Sequence, residues 1–284
     1  VRWPQDAEGW PLREHSRMQL LRPHRWHIQE AGEGETLILI HGAGGATQSW
    51  RGLFPLLAQS YHVVSIDLPG QGLTQAGSRN RYGLDAMAED VLALIHDNGW
   101  TPRALIGHSA GGAIALRLAE LGAVPDGCVI GLNPALSNFK GVAGWLFPML
   151  AKVLALNPFS ASLFTAAATE SSVRNLIKGT GSKLDEEGIA LYRRLASDRT
   201  HVDATLAMMA QWSLDGLLSR LGDIPCPVHL IVGANDLAVP PKTSRDAAGI
   251  LPNATLVELS GLGHLAHEED PAQIADLIRT ILQG

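Results

Sequence analysis

Ala104-Leu105-Ile106-Gly107-His108-Ser109-Ala110-Gly111-Gly112-Ala113-Ile114-Ala115-Leu116 decides the fold of this chain. The apolar run 104–106 reads as a buried strand, and the segment after 110 is rich in helix formers. Between them stands Gly107-His108-Ser109-Ala110-Gly111. Strand, G-x-S-x-G, helix is the layout of a nucleophile elbow. The glycines follow from sterics. Ser109 must sit on a turn sharp enough for its hydroxyl to stand clear of the sheet, and a Cβ at Gly107 or Gly111 would collide with the adjoining strand or helix. The hydroxyl then lies near the N-terminus of the following helix, where unpaired N–H groups and the dipole favour developing negative charge. An ordinary glycine turn carries the same letters, so the context has to decide.

Upstream, residues 36–40 form a continuous aliphatic run, the signature of a strand buried on both faces. It ends in His41-Gly-Ala-Gly-Gly-Ala46, a loop that can aim backbone N–H groups at an anion. Neither G-x-x-x-x-G-K-[ST] nor a full G-x-G-x-x-G with an acidic partner is present. The alternative is an oxyanion loop, with the N–H of Ala43 and that of Ala110 as donors. A helix is expected over 49–59, a strand over 62–67, the turn Asp67-Leu-Pro-Gly-Gln-Gly72, a helix over 85–98 and a strand over 124–132 ending at Asn133-Pro134. This alternation predicts an α/β fold with a mostly parallel sheet flanked by helices. Residues 1–17 read as an irregular polar arm, and 18–29 as one or two edge strands.

From 134 to 222 the pattern changes to apolar helical stretches at 145–156, 160–178, 186–196 and 202–218. This reads as a helical lid inserted into a core of residues 1–133 and 223–284. The core resumes with a strand at 228–232, then Gly233-Ala-Asn-Asp236, a helix over 242–251, a strand at 255–259, Gly261-Leu-Gly-His264 and a closing helix over 271–282. Asp236 and His264 both follow strands, on the edge of an open α/β sheet where sites form. In the order Ser109, Asp236, His264 they assemble a nucleophile, an orienting acid and a general base. Asp223 precedes its strand and is the weaker candidate acid. His264 and His267 lack a third ligand at metal spacing, and His108 reads as structural, so no metal or cofactor is expected.

The 284 residues carry a formal charge of −6, which argues against nucleic acid as the main partner. The stretch 12–27 is locally basic, with His15, His24 and His27, and reads as a solvated face. Cys128 and Cys226 belong to no C-x-x-C, so reduced thiols and a cytoplasmic setting are expected. The most apolar run, 142–156, is too short to span a bilayer and is interrupted by Pro148 and Lys152.

With these pieces placed, the chain resembles the α/β-hydrolase superfamily over nearly its whole length. The matching motifs are His41-Gly-Ala-Gly, Asp67-Leu-Pro-Gly-Gln-Gly, Gly107-His-Ser-Ala-Gly, Gly233-Ala-Asn-Asp and Gly263-His264. Gln71 stands where many relatives have His, with no catalytic consequence expected. A serine at the elbow, rather than Asp, argues against haloalkane dehalogenases and soluble epoxide hydrolases. Asn157-Pro-Phe159, Gly179-Thr-Gly-Ser-Lys-Leu-Asp185, Ala207-Met-Met-Ala-Gln-Trp212 and Gly263-His-Leu-Ala-His-Glu-Glu269 resemble the magnesium-chelatase accessory hydrolases of bacteriochlorophyll biosynthesis. The resemblance implies a carboxylesterase-type serine hydrolase acting on a large apolar ester such as a tetrapyrrole. Hydrolysis of carbon–carbon bonds in ring-cleavage products, or a non-catalytic porphyrin-binding accessory to magnesium chelatase, are the alternatives. The lid is dense in bulky apolar groups, and Trp145, Met208, Met209 and Trp212 are expected to line a roof over Ser109 suited to a flat ligand. Transient contact with the chelatase or a membrane surface would follow.

Overall fold

The computed structural model describes residues 4–5, 7–137 and 160–284. Its centre is an eight-stranded sheet in the order β1-β2-β4-β3-β5-β6-β7-β8. The strands are β1 Ser16–Leu21, β2 His24–Ala31, β3 Thr36–Ile40, β4 His62–Ile66, β5 Pro102–His108, β6 Cys128–Leu132, β7 Val228–Gly233 and β8 Ala254–Leu259. From β4 to β8 every pairing is parallel, and the β1–β2 hairpin joins β4 antiparallel. β3 pairs with β4 on one side and β5 on the other. The order reverses there, so the loops leaving β3 and β5 flank the crevice where open α/β sheets place their sites.

The alternation of side chains along β3 explains its unbroken apolar run. Ile38 and Ile40 join a core layer with Met87, Val91, Leu94 and Ile95 of α2 (Leu84–Asp97) and with α3 (Ala110–Glu120). Leu37 and Leu39 join the opposite layer, with α1 (Leu53–Leu57) and Ile274 and Ile278 of α11 (Pro271–Gln283). Both faces are covered, and all five residues of β3 are buried.

Between β6 and β7 the described helices are α4 Ser160–Ala166, α5 Glu170–Gly179, α6 Glu186–Ala196, α7 Arg199–Gln211 and α8 Asp215–Leu218; α9 Lys242–Ala248 and α10 Ala266–Glu269 complete the set with α11. The helix expected at 145–156 lies outside the described residues. Two longer expected helices are split. At 160–178 the Thr169 side chain accepts from Ser172 N–H and starts α5 afresh, and the helix expected over 202–218 divides after Gln211 into α7, whose N-terminus Asp198 caps by accepting from His201 N–H, and the short α8. The helix expected over 49–59 is a 3-10 turn, Thr47–Trp50, followed by the single short helix α1.

The basic stretch near the N-terminus is not a solvated face at two of its three histidines, His15 alone being partly exposed. His24 and His27 are 1% and 0% exposed. His24 Nε2 lies 2.9 Å from Asp90 Oδ2, and His27 Nδ1 lies 2.7 Å from Asp67 Oδ2. The polar arm is anchored too. Trp10 is buried, donates from Nε1 to Thr47 Oγ1 at 3.0 Å, and carries the Arg194 guanidinium over its ring. Among the described residues no helix is long and apolar enough to cross a membrane.

Candidate active site

Ser109 joins β5 to α3 with φ 52° and ψ −117°. A non-glycine residue in such a conformation costs about 1–3 kcal/mol and persists only where its surroundings over-determine it. Here Ser109 N–H donates to Leu132 O at 3.1 Å, while Ser109 O accepts from the N–H groups of Gly112 and Ala135, both at 3.0 Å. The glycines answer to close approach: a Cβ at Gly107 would stand 2.2 Å from Gly111 O, and one at Gly111 2.1 Å from Ile40 O. The elbow is therefore a steric consequence of β3, β5 and α3 meeting at one point.

Asp236 follows β7 and His264 follows β8, and both are buried. His264 Nδ1 donates to Asp236 Oδ2 at 2.7 Å. The ring proton is thereby placed on Nδ1, leaving Nε2 as the basic lone pair. Asp236 Oδ1 accepts from the N–H groups of Ala238 and Val239, each at 2.8 Å, so the turn that follows fixes the carboxylate. A further donor was not anticipated from the sequence: Asn133 Nδ2 reaches the same Oδ2 at 2.7 Å. Asn133 ends β6 with φ 47° and is 1% exposed. The signal in the sequence was its place at the end of a strand run, just before Pro134. Asp223, by contrast, is exposed at the end of a 3-10 turn.

Behind His264 lie two more imidazoles. The His108 ring is 4.8 Å from that of His264 and 4.5 Å from that of His267, and His108 Nε2 donates to His264 O at 2.9 Å. Burial, together with the neighbouring imidazoles, holds His108 well below the usual histidine range and His267 at about 3. Both are neutral at pH 7, so they do not oppose a positive charge forming on His264.

The loop after β3 faces the elbow. A Cβ on Gly42 would be 2.9 Å from Ser109 Cβ. The Gly45 N–H to Gly42 O bond closes a turn over 42–45, in which the exposed Ala43 is the second residue and its N–H takes no part in that bond. Ala110, the first residue of α3, has an N–H with no carbonyl behind it in the helix. His41 pins the loop, donating from Nδ1 to Gly42 O and accepting at Nε2 from Leu68 N–H.

α7 grips the other side of this loop. His201 Nε2 donates to Gly44 O at 3.2 Å while its Nδ1 accepts from Gly72 N–H at 3.1 Å; burial draws this imidazole down to about 4. Gln71 Oε1 accepts from Gly44 N–H at 2.8 Å, and Gln71 Nε2 donates to Met208 Sδ at 3.3 Å. Gln71 is thus a second link between the loop and α7, beside His201. Met208, expected on the pocket roof, is 1% exposed and belongs to the core beneath α7. Met209 is half-buried, Trp212 packs partly buried against the same core, and Trp145 lies outside the described residues.

Elsewhere, a cavity of about 310 Å³ opens beside α5 and α6, lined by Glu170, Glu186, Ile189 and Arg193; no member of the Ser109 site borders it. A Ser, a His and an Asp also meet at the β1–β2 edge. His27 Nε2 lies 3.0 Å from Ser16 Oγ, with Asp67 on its Nδ1. Among the described residues no cluster of three or more His, Cys, Asp or Glu could hold a metal ion.

Comparison with known proteins agrees with this architecture. A family model described as "alpha/beta hydrolase fold" matches residues 35–271. The magnesium-chelatase 30 kDa subunit of Rhodobacter capsulatus is 44% identical over 279 residues, covering 97% of each chain. Among solved structures, an alpha/beta hydrolase fold protein from Burkholderia ambifaria superposes with a TM-score of 0.78 at 23% identity, covering 92% of this chain and 96% of its own. A bromoperoxidase from Bacillus anthracis gives a TM-score of 0.78 at 18% identity, covering 95% and 100%.

Proposed function

Because the chain belongs to the alpha/beta hydrolase fold family, and within it to the family of the chelatase 30 kDa subunit, we propose that it is a carboxylesterase-type serine hydrolase acting on a large apolar ester of the tetrapyrrole class. The observation that carries the reading is the 2.7 Å Asp236–His264 bond at the sheet edge that also bears the strained Ser109.

Ser109 Oγ attacks the ester carbonyl as His264 Nε2 takes its proton, and Asp236 stabilises the imidazolium. The N–H groups of Ala43 and Ala110 receive the oxyanion. The intermediate expels the alcohol, protonated by His264, and leaves an acyl-serine. His264 then deprotonates a water that attacks the acyl carbon, and the acid departs as Ser109 regains its proton. Residues 134–222 act as the cap. Met209 and Trp212 contact substrate, and Met208 acts through Gln71.

The identity with a magnesium-chelatase subunit favours one further reading, a porphyrin-binding accessory that meets the chelatase transiently. One experiment separates the two. A serine-directed phosphonate is expected to label Ser109, and an ester panel is expected to show porphyrin methyl esters turned over and small p-nitrophenyl esters turned over slowly. Porphyrin is expected to quench tryptophan fluorescence with a Kd of about micromolar order, weakened by Trp212→Ala and Met209→Ala. Porphyrin binding without labelling or turnover selects the accessory. Fast acetate ester turnover without porphyrin binding overturns the tetrapyrrole reading.

A further inference from the structure

The segment 180–183, between α5 and α6, threads between the turn carrying Asp236 and the loop carrying His264. The Thr180 carbonyl accepts from both, from Leu237 N–H at 3.1 Å and from His264 N–H at 3.4 Å. Next in sequence, Gly181 has φ 84°, and a Cβ there would stand 1.9 Å from Asn235 O, the carbonyl just before Asp236. Ser182 is 2% exposed, and its Oγ accepts from Leu265 N–H, the residue after His264, at 2.8 Å. Glu269 closes the arrangement, with Oε1 on Gly263 N–H at 2.8 Å and Oε2 on Lys183 N–H at 3.1 Å. A Cβ at Gly263 would in turn meet Gly181 O at 2.4 Å. Three consecutive residues therefore touch the positions on either side of the acid and the base, and Lys183 joins them through Glu269.

We propose that residues 180–183 are a positioning clasp that sets the distance between Asp236 and His264, with Ser182 as its side-chain anchor. The inference rests on the serine hydrolase reading for its catalytic consequence, though not for its geometry. The two catalytic loops share only a few backbone bonds of their own, among them Asn235 N–H to Leu262 O at 2.9 Å. The clasp adds a bridge from outside the sheet. It also ties the register of acid and base to α5 and α6, so a ligand or partner that displaces those helices acts on both residues at once.

The test is Ser182→Ala, which leaves the buried Leu265 N–H without its acceptor and lets the His264 loop relax. The folded variant is expected to lose about a hundredfold in kcat with KM unchanged, the effect of misplacing a catalytic group by about an ångström. The acid limb of its kcat/KM profile is expected to move to lower pH, because an imidazolium further from Asp236 is less stabilised. The low-field proton resonance of the His264 Nδ1–H···Asp236 bond is expected to broaden or vanish. Ser182→Cys, nearly isosteric and a weaker acceptor, carries the same measurements if the Ala variant does not fold. Folded Ala or Cys variants with unchanged resonance and unchanged pH profile overturn the clasp, as does a loss carried by KM alone. The resonance needs no turnover, so the two readings fail separately. Full activity in Ser109→Ala removes the nucleophile and leaves the clasp standing, whereas an intact resonance in Ser182→Ala removes the clasp while Ser109 still labels.

Discussion

A complete Ser–His–Asp hydrogen-bond chain lies at the β1–β2 edge, whereas near Ser109 the hydrogen bond of this kind joins only His264 to Asp236. At the β1–β2 edge, Ser16 Oγ is held by His27 Nε2 at 3.0 Å and Gln29 Nε2 at 3.2 Å. Asp67 takes the His27 Nδ1–H and also the N–H groups of Thr47 and Leu73. Ser16 itself sits in relaxed extended backbone, φ −86° and ψ 138°. At the other site, Ser109 Oγ has no hydrogen-bond partner among the described residues, its backbone is strained, and a helix N-terminus begins at the next residue. A serine with every bond satisfied in a strand is a structural clamp. One left unpaired, raised on an elbow at the start of a helix, is the serine that the proposed function takes as nucleophile. Strain and local donors, rather than a complete hydrogen-bond chain, distinguish the two.

Exchanging the serines breaks this comparison most directly. Ser109→Ala is expected to lower ester turnover by on the order of 10⁴-fold or more without unfolding the chain, whereas Ser16→Ala changes it less than about threefold. Mass spectrometry of the phosphonate adduct is expected to find Ser109 alone, and an adduct on Ser16 would reverse the assignment.

The acids should divide in kind. Asp236→Asn is expected to cut kcat by about 10³–10⁴-fold with little change in substrate binding. Asp67→Asn should act on stability. Asp67 is fully buried, and although burial pushes its carboxyl up, the His27 and His41 imidazoles and the Leu73 N–H hold it below the usual range. Removing that charge from a buried paired site costs about 3–5 kcal/mol, to be read from urea unfolding of both variants.

The smallest effect is in pH. His201 and His267 are neutral in the fold, drawn from 6.5 to about 4 and about 3 by burial, and His108 lies well below its usual value. Folded values below unfolded ones mean that the unfolded chain binds more protons as pH drops through 6.5, so stability falls toward about pH 4. Glu268 opposes this. Burial between Arg51 and Tyr192 raises its carboxyl from 4.5 to about 7, so its contribution declines as pH rises across that interval. Three imidazoles outweigh one carboxyl, and urea midpoints are expected to be lower at about pH 5 than at about pH 7.5. His201→Gln should flatten that slope, and an unchanged slope would remove His201 from the account.

Much of this architecture was legible in the amino-acid sequence. β3, β5 and β7 announce themselves as apolar runs because both of their faces are covered, and Gly107 answers to a clash with Gly111 four residues on, although Gly111 answers to Ile40 of β3. The strand-end positions of Asp236 and His264 follow from the same local patterns, which is why Asp236 could be preferred to Asp223. Only tertiary structure decided what surrounds them. His24 and His27 look like surface charges until Asp90 and Asp67, 66 and 40 residues away, come to meet them. Asn133 on Asp236, Gln71 between Gly44 and Met208, and Thr180 and Ser182 against the acid and base loops are contacts between segments far apart in the chain. Such contacts leave no periodicity in any one segment. Hydrophobic pattern records burial and turn chemistry records local backbone, but a polar side chain acquires its role from whichever loop the sheet order brings beside it.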